Sequence, residues 1–436
     1  MWMLKNRLKR HVETVVALTV ILVLSSWSSV GADMTKTVTP RISLEEQYDD
    51  NIDLEPDNEE SDWITLVSPG VLLELEDHDT RLSLDYEAGF SYYRDNPSRD
   101  STRHLAEIAL DQDVTSHTTL HISDRFSRSE DPIVEDEGMI EDIQTTRRTF
   151  YRNTGEASLS YAFGVEDELR LGYRNRYVDD RSSEDDDSEG NEAFLGLDKW
   201  FGPRFGVGIT PFYNTNDFDQ DDDFDQYGGG VTLNYRWRPD KRLYVRYDFL
   251  DHDFDDPATA TERNDYQVHE ETLGVDIALG PHTNLLLEGG YYLQDFENGD
   301  TNDGISYSTD FATRTRRATV TLRGSGGYGE DYYSDDDLGS TEYQEVGASA
   351  DYQLLEDLSV FASGSYRWED FYGADSEEDR EDDLWRASMG FSFSAWRWFT
   401  FSVEGIHTER DSDDPDRDFK DNRAVFRITA AYPVRF

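Results

Sequence analysis

The chain has 436 residues, a formal charge of −53 and no cysteine. The missing cysteines exclude a disulfide framework and any thiolate metal site, and the negative charge excludes a nucleic-acid partner, because phosphates attract basic surfaces. Mean hydropathy is −0.76, yet 13% of the residues are aromatic, including 25 Tyr and 23 Phe, and disordered chains are poor in aromatics.

In chain order, residues 1–32 read as a cleaved export signal. Lys5, Arg7, Lys9 and Arg10 form a basic start, Val15 to Leu24 an apolar run, and Val30-Gly31-Ala32 a small-residue cleavage site ahead of Asp33. The apolar run is too short for a membrane anchor, since a spanning helix needs about 20 such residues. Residues 33–436 then form one domain with no linker. From residue 38 to the end, apolar and polar residues alternate with a period of two, which argues strand rather than helix. Leu82, Leu84, Tyr86, Ala88, Phe90 and Tyr92 alternate with Arg81, Ser83, Asp85, Glu87, Gly89 and Ser91. Trp385, Ala387, Met389, Phe391 and Phe393 alternate with Arg386, Ser388, Gly390 and Ser392.

Such segments fall at 38–48, 61–76, 80–94, 102–114, 118–128, 150–163, 167–179, 190–201, 204–216, 225–237, 241–253, 265–279, 283–296, 305–313, 317–333, 341–354, 357–372, 383–396, 399–410 and 421–436. The break near Arg314 contains no turn-forming residue and the first segment is irregular, so the expected number is 18 or 20. An even number places both chain ends on one side. Short turns such as Ser116-His117, Gly202-Pro203, Pro239-Asp240, Gly280-Pro281 and Glu356-Asp357 alternate with long acidic loops. Residues 49–62 hold eight acids and no base, residues 217–225 six acids and no base, and residues 369–383 nine acids against Arg380. The pattern predicts an all-β fold: a transmembrane antiparallel up-and-down β-barrel with short periplasmic turns and longer acidic extracellular loops. The loops read as solvated and mobile. Their carboxylates are also candidates for weakly bound divalent cations, Ca²⁺ or Mg²⁺ bridging lipopolysaccharide phosphates, although Asp219, Asp221, Asp223 and Asp225 lack the glycine and the terminal glutamate of a calcium loop.

A charged side chain facing lipid at mid-bilayer costs about 2–4 kcal/mol for Arg or Lys, so the polar phase of each strand is assigned to the lumen. This gives Arg81, Asp85, Arg170, Arg174, Arg176, Arg246, Asp248, Glu288, Arg323, Arg367, Arg386 and Arg427 as lumen-facing candidates. Both signs are present in similar numbers, which suits wall-stiffening ion pairs or a hydrophilic surface for a polar solute. Outward Tyr92, Tyr177, Tyr247, Tyr291, Tyr366 and Tyr432 are candidates for interfacial girdles. The closing strand, AVFRITAAYPVRF, carries Ala424, Phe426, Ile428, Ala430, Tyr432, Val434 and Phe436 on one face.

No catalytic motif emerges. His252, between Asp251 and Asp253 near a loop-side strand end, is the one conceivable Asp–His pair, and in a chain this rich in Asp the adjacency reads as coincidence. Gly324, Gly326 and Gly327 fall within a strand, where they relieve crowding or mark a bulge. The chain is therefore not expected to be an enzyme, and no cofactor is expected.

Two stretches carry a resemblance. The terminal Tyr432, Val434 and Phe436 resemble the C-terminal signature of bacterial outer-membrane barrels, which implies recognition by the barrel assembly machinery. Arg41 to Leu75, with Tyr48-Asp49-Asp50-Asn51-Ile52, Ser61-Asp62 and Ser68-Pro69-Gly70, resembles the start of the Putative beta-barrel porin 2 family, and Gly327 to Tyr332 and Asn422-Arg423 are similar too. The resemblance implies an outer-membrane barrel of porin size among lipid and lipopolysaccharide. Some members are associated with exopolysaccharide secretion, beside a periplasmic polysaccharide export protein. The expectation is a porin-like channel, with that conduit as one form of it. The alternative is a non-transport surface protein whose acidic loops bind cations, lipopolysaccharide or a partner.

Overall fold

The computed structural model describes residues 34–130, 133–136, 140–144, 149–180, 187–219, 223–254, 265–297, 299, 301–331, 339–372, 380–415 and 417–436. The expected signal at 1–32 and parts of several loops lie outside them. The wall opens with β1 (Thr35–Asp49), β2 (Asp62–Glu76), β3 (Thr80–Tyr93), β4 (Ser101–Thr115) and β5 (Thr118–Ser129). A separate hairpin, β6 (Ile133–Asp136) and β7 (Ile140–Gln144), interrupts it. It resumes with β8 (Phe150–Ala162), β9 (Glu168–Asp180), β10 (Ser188–Phe201), β11 (Phe205–Phe218), β12 (Phe224–Arg238), β13 (Lys241–Phe254) and β14 (Tyr266–Gly280). Then follow β15 (Thr283–Phe296), β16 (Thr301–Arg314), β17 (Ala318–Asp331), β18 (Gly339–Gln353), β19 (Leu358–Tyr372), β20 (Arg380–Ala395), β21 (Phe399–Ser412), β22 (Phe419–Ala431) and β23 (Val434–Arg435).

Every wall pairing is antiparallel, and β5 pairs directly with β8. The last strand returns to the first: Glu45 lies opposite Arg427 and Ser43 opposite Thr429. The sheet has 21 members, and the two-residue β23 continues β22 along β1, so the barrel wall is closed by twenty strands. Closure leaves no edge with unpaired backbone groups, a requirement for any sheet surrounded by hydrocarbon. Twenty is the upper of the two expected numbers. The deciding turn, Thr315 to Arg317, is real although it holds no Gly, Pro, Asn or Asp. The Thr315 hydroxyl accepts hydrogen bonds from the Arg317 and Ala318 amides, and the Thr315 amide donates to the Ala318 carbonyl.

The large exposed apolar side chains share one phase of the strands. Leu171, Leu273, Ile305 and Met389 are 55–69% exposed and point away from the protein, as lipid-facing residues must. Aromatics cluster on the same outer face, with Tyr48 on Trp63, Tyr366 on Trp385 and Trp398 on Tyr432. All six expected girdle tyrosines occupy this phase by register.

Two segments depart from a plain cylinder. The first is the connection between β1 and β2, which reads from sequence as a solvated mobile loop. Instead, its Ile52 packs with Ile64 and Tyr93, and its Leu54 with Leu384 and Phe419 on the inner faces of β20 and β22. Asn51, fully buried, pins the chain by donating to the Glu55 and Lys420 carbonyls and accepting from the Glu55 amide. Arg99 clamps it from the β3–β4 connection, 2.5 Å from Asp53 and 3.2 Å from Glu60. The acids line this loop, but two apolar side chains among them fold it into the barrel mouth.

The second is the loop-side end of β17. Its pairing with β16 covers only eight residue pairs and ends at Tyr307 opposite Gly326, although β16 extends back to Thr301. Pairing of β17 with β18 continues without a break through Asp331 opposite Gly339. At the parting point Gly327 has φ +149°, a conformation L side chains rarely adopt. The glycine read as a bulge is the bend at which β17 parts from β16 and turns inward, while β18 stays paired with β19 as far as Ser340 opposite Tyr372.

The barrel lumen as candidate functional site

The inner face is a mesh of ion pairs between neighbouring strands. Arg41 lies 2.7 Å from Asp85 and 3.3 Å from Glu87. Arg170 and Arg174 share Glu156 at 2.6 and 3.0 Å, and Arg174 also reaches Glu192 at 3.4 Å. Arg246 bridges Asp248 at 2.7 Å and Glu288 at 3.2 Å. Arg323 pairs with Asp310, Arg367 with Glu345 and Glu369, and Arg427 with Glu45 at the closing seam. Arg81 lies 3.7 Å from Glu76 near the short-turn end. Arg386 borders a small cavity with Arg323, Ser363 and Ser365, and Arg176 stands opposite Gly190 and Thr154 in register. The twelve sequence-derived candidates are spread around the barrel rather than gathered at one point. Guanidinium forks suit this task because each can hold two carboxylates at once.

The convergence lies elsewhere, where the in-turned β17 arm meets β12–β14. Glu330 accepts hydrogen bonds from Tyr328 (2.6 Å), Gln226 Nε2 (2.7 Å) and Tyr266 (2.9 Å), and His252 Nδ1 lies 3.7 Å away. Tyr328 packs against an apolar cluster of Phe224, Phe254, Tyr266 and Val268. The start of β18 is fastened by Gln294 Nε2 donating to Ser340 Oγ at 3.0 Å. None of these residues was singled out from the sequence as part of a constriction; the triple glycine was the available signal. Asp251 and His252, whose adjacency reads from the sequence as coincidence, lie on opposite faces of β13. His252 is on the inner face opposite Tyr266, whereas Asp251 pairs with Gln267 on the outer phase. Its carboxylate neighbour is Glu330, remote in sequence, and it holds the hairpin in place.

Below this roof a cavity of about 630 Å³ opens along the inner faces of β9–β14. At the loop-side rim, Asp49, Asp50 and Asp421 bring carboxylate oxygens within 4.8 Å of one another, the one grouping among the described residues with the spacing of a metal site. Arg423 already lies against two of them, 2.5 Å from Asp421 and 3.3 Å from Asp49. At the opposite end, Asp167 in the β8–β9 turn is held below the usual carboxylate range by the Lys199 ammonium and the Trp200 amide. His78, in the β2–β3 turn, is raised by Asp79 beside it.

A closed twenty-stranded barrel, apolar outside and ion-paired inside, defines a porin-like outer-membrane β-barrel. The chain belongs to the family described as Putative beta-barrel porin 2, whose model matches residues 35–166 and 213–432. Its location is the bacterial outer membrane. No curated protein matches the chain. Among solved structures it is similar in fold to the siderophore receptor PirA from Acinetobacter baumannii, with TM-score 0.51 and 8% identity over 92% of this chain and 81% of that one. A mutant of the ferric enterobactin receptor PfeA from Pseudomonas aeruginosa, in complex with enterobactin, gives TM-score 0.50 and 7% identity over 92% and 82%. OccAB4 from Acinetobacter baumannii gives 0.43 and 10% over 92% and 99%.

Proposed function

We propose that the protein is a passive channel for small hydrophilic solutes, with its bore set by the in-folded β1–β2 connection and the in-turned β17 arm. The observation that carries this reading is the inner wall of paired charges with an open cavity beside the hairpin. Such a wall offers water and polar solutes hydrogen bonds at every level while keeping its own charges compensated. Purified protein in planar bilayers should give ohmic conductance, and silence at every voltage and salt concentration would refute the channel.

The narrower reading, an outer-membrane conduit for exopolysaccharide beside a periplasmic export protein, draws on the family resemblance. The sharper test is whether loss of this protein leaves polysaccharide trapped in the periplasm. A second reading, a rim that binds divalent cations or lipopolysaccharide, draws on the Asp49–Asp50–Asp421 grouping. It predicts that replacing Asp49 and Asp421 removes a cation response while conductance survives.

A further inference from the structure

The short-turn end of the barrel carries a basic sector, in a chain whose formal charge is −53. Four consecutive short turns and their flanking strand ends, 201–205, 238–241, 280–283 and 314–318, hold Arg204, Arg238, Lys241, Arg314, Arg316 and Arg317 against one acid, Asp240. These turns are neighbours in space, because each accepts a backbone hydrogen bond from the strand leading into the next. The Arg236 amide donates to the Arg204 carbonyl at 2.7 Å, the Ala278 amide to the Asp240 carbonyl at 2.9 Å, and the Arg314 amide to the His282 carbonyl at 2.8 Å. The sector has edges. The turn before it contributes Glu166, Asp167 and Glu168, and the turn after it Glu356 and Asp357.

These bases differ from those of the inner wall, where Arg41, Arg170, Arg246 and Arg427 each hold a carboxylate. The six form no ion pair among the described residues; five are exposed and Lys241 is partly so. Large apolar side chains stand at the same strand ends, with Phe201, Phe205 and Leu279 56–64% exposed and Trp237 38%. The lipid-facing surface therefore passes directly into a band of uncompensated positive charge. An acyl chain lying on the first delivers its headgroup phosphate to the second, and each base near an anionic lipid surface adds to the attraction. A soluble acidic partner would account for the bases but not for the apolar residues beside them.

We infer that this sector is a binding surface for anionic phospholipid, whose phosphates are held by Arg204, Arg238, Arg314, Arg316 and Arg317 while the acyl chains lie on Phe205, Trp237 and Leu279. The inference is independent of what passes through the bore. A zwitterionic lipid brings the same chains, but its own ammonium offsets the attraction of its phosphate.

The test is native mass spectrometry of the detergent-solubilised full chain with equimolar dioleoylphosphatidylglycerol and dioleoylphosphatidylcholine. The wild type should carry about fivefold more of the anionic lipid. The quadruple variant Arg204→Gln, Arg314→Gln, Arg316→Gln, Arg317→Gln should bind the two lipids equally, whereas Arg397→Gln with Arg435→Gln, at the same end but outside the sector, should keep the preference. Heat-modifiable mobility on gels certifies folding. Should the quadruple variant fail to fold, Arg316→Gln with Arg317→Gln decides the matter, because that turn closes through its backbone and the Thr315 hydroxyl rather than through guanidinium groups; this pair should lower the preference clearly. Equal binding of both lipids by the wild type, the result expected if the bases serve a soluble acidic partner, would overturn the inference. A preference undiminished in the sector variants, or lost equally in the Arg397 and Arg435 variant, would overturn it too.

Discussion

Gly327 stands where β17 parts from β16. A Cβ there would lie 3.0 Å from the Ser306 Cβ in a backbone conformation few side chains adopt. Gly327→Val should therefore cost about 1–3 kcal/mol, visible as a lower temperature for the heat-modifiable shift on gels, while Gly289→Ala, with open space around it, should leave that temperature unchanged. Asp167 offers a second residue-scale check. Its folded-state pKa lies below the ordinary value, so its stabilising contribution is present above the ordinary carboxylate pKa and is lost as pH falls through the depressed one. The difference in unfolding temperature between the wild type and Asp167→Asn should be constant near neutrality and shrink under acid conditions. A difference that grows as pH falls would contradict the Lys199–Asp167–Trp200 arrangement.

Among the elements, the strands were legible and their departures from the wall were not. A period of two over twenty segments survives any loop chemistry, because one face must meet lipid and the other water. The Thr315 turn lay outside turn propensities because a threonine hydroxyl does there what a glycine backbone does elsewhere. The β1–β2 connection escaped notice because Ile52 and Leu54 are outnumbered by acids, and composition does not say which few residues of a loop find a buried partner. The constriction was hidden for a related reason. Glu330 and His252 are 78 positions apart, and only the bend at Gly327 brings their side chains together. If the hairpin narrows the bore, Tyr328→Ala combined with Glu330→Ala should raise single-channel conductance and make it noisier, whereas Tyr432→Ala on the outer face should not change it. Conductance unmoved by the first variant would place the limiting section elsewhere.

Considered whole, the molecule divides its charge by location. The bore is stitched by arginine–carboxylate pairs. Much of the excess behind the −53 resides in the connections at the loop-side rim. That rim should draw cations toward the mouth, an effect that fades as salt screens it. Closure joins the first and last wall strands: Phe436 donates its amide to the Lys36 carbonyl, Val434 faces Val38, and the Tyr432 amide reaches Pro40. Phe436 is itself 78% exposed on the outer surface, so deleting it sacrifices little packing. If it serves as the assembly signal, the deletion should sharply lower the yield of folded barrel in the outer membrane while any barrel that does form melts normally. Equal yields would deny it that role.

The parting of β16 from β17 also has a kinetic signature. Over Thr301–Ser306 the wall strand has a partner on one side only, so every second amide lacks the neighbour that protects the rest of the ladder. In hydrogen–deuterium exchange these positions should label early, a short fast-exchanging patch in an otherwise slowly exchanging cylinder. Any condition that zipped β17 back onto β16 would extinguish that patch, so deuterium uptake at alternate amides of Thr301–Ser306 would report the state of the bore without any current being measured.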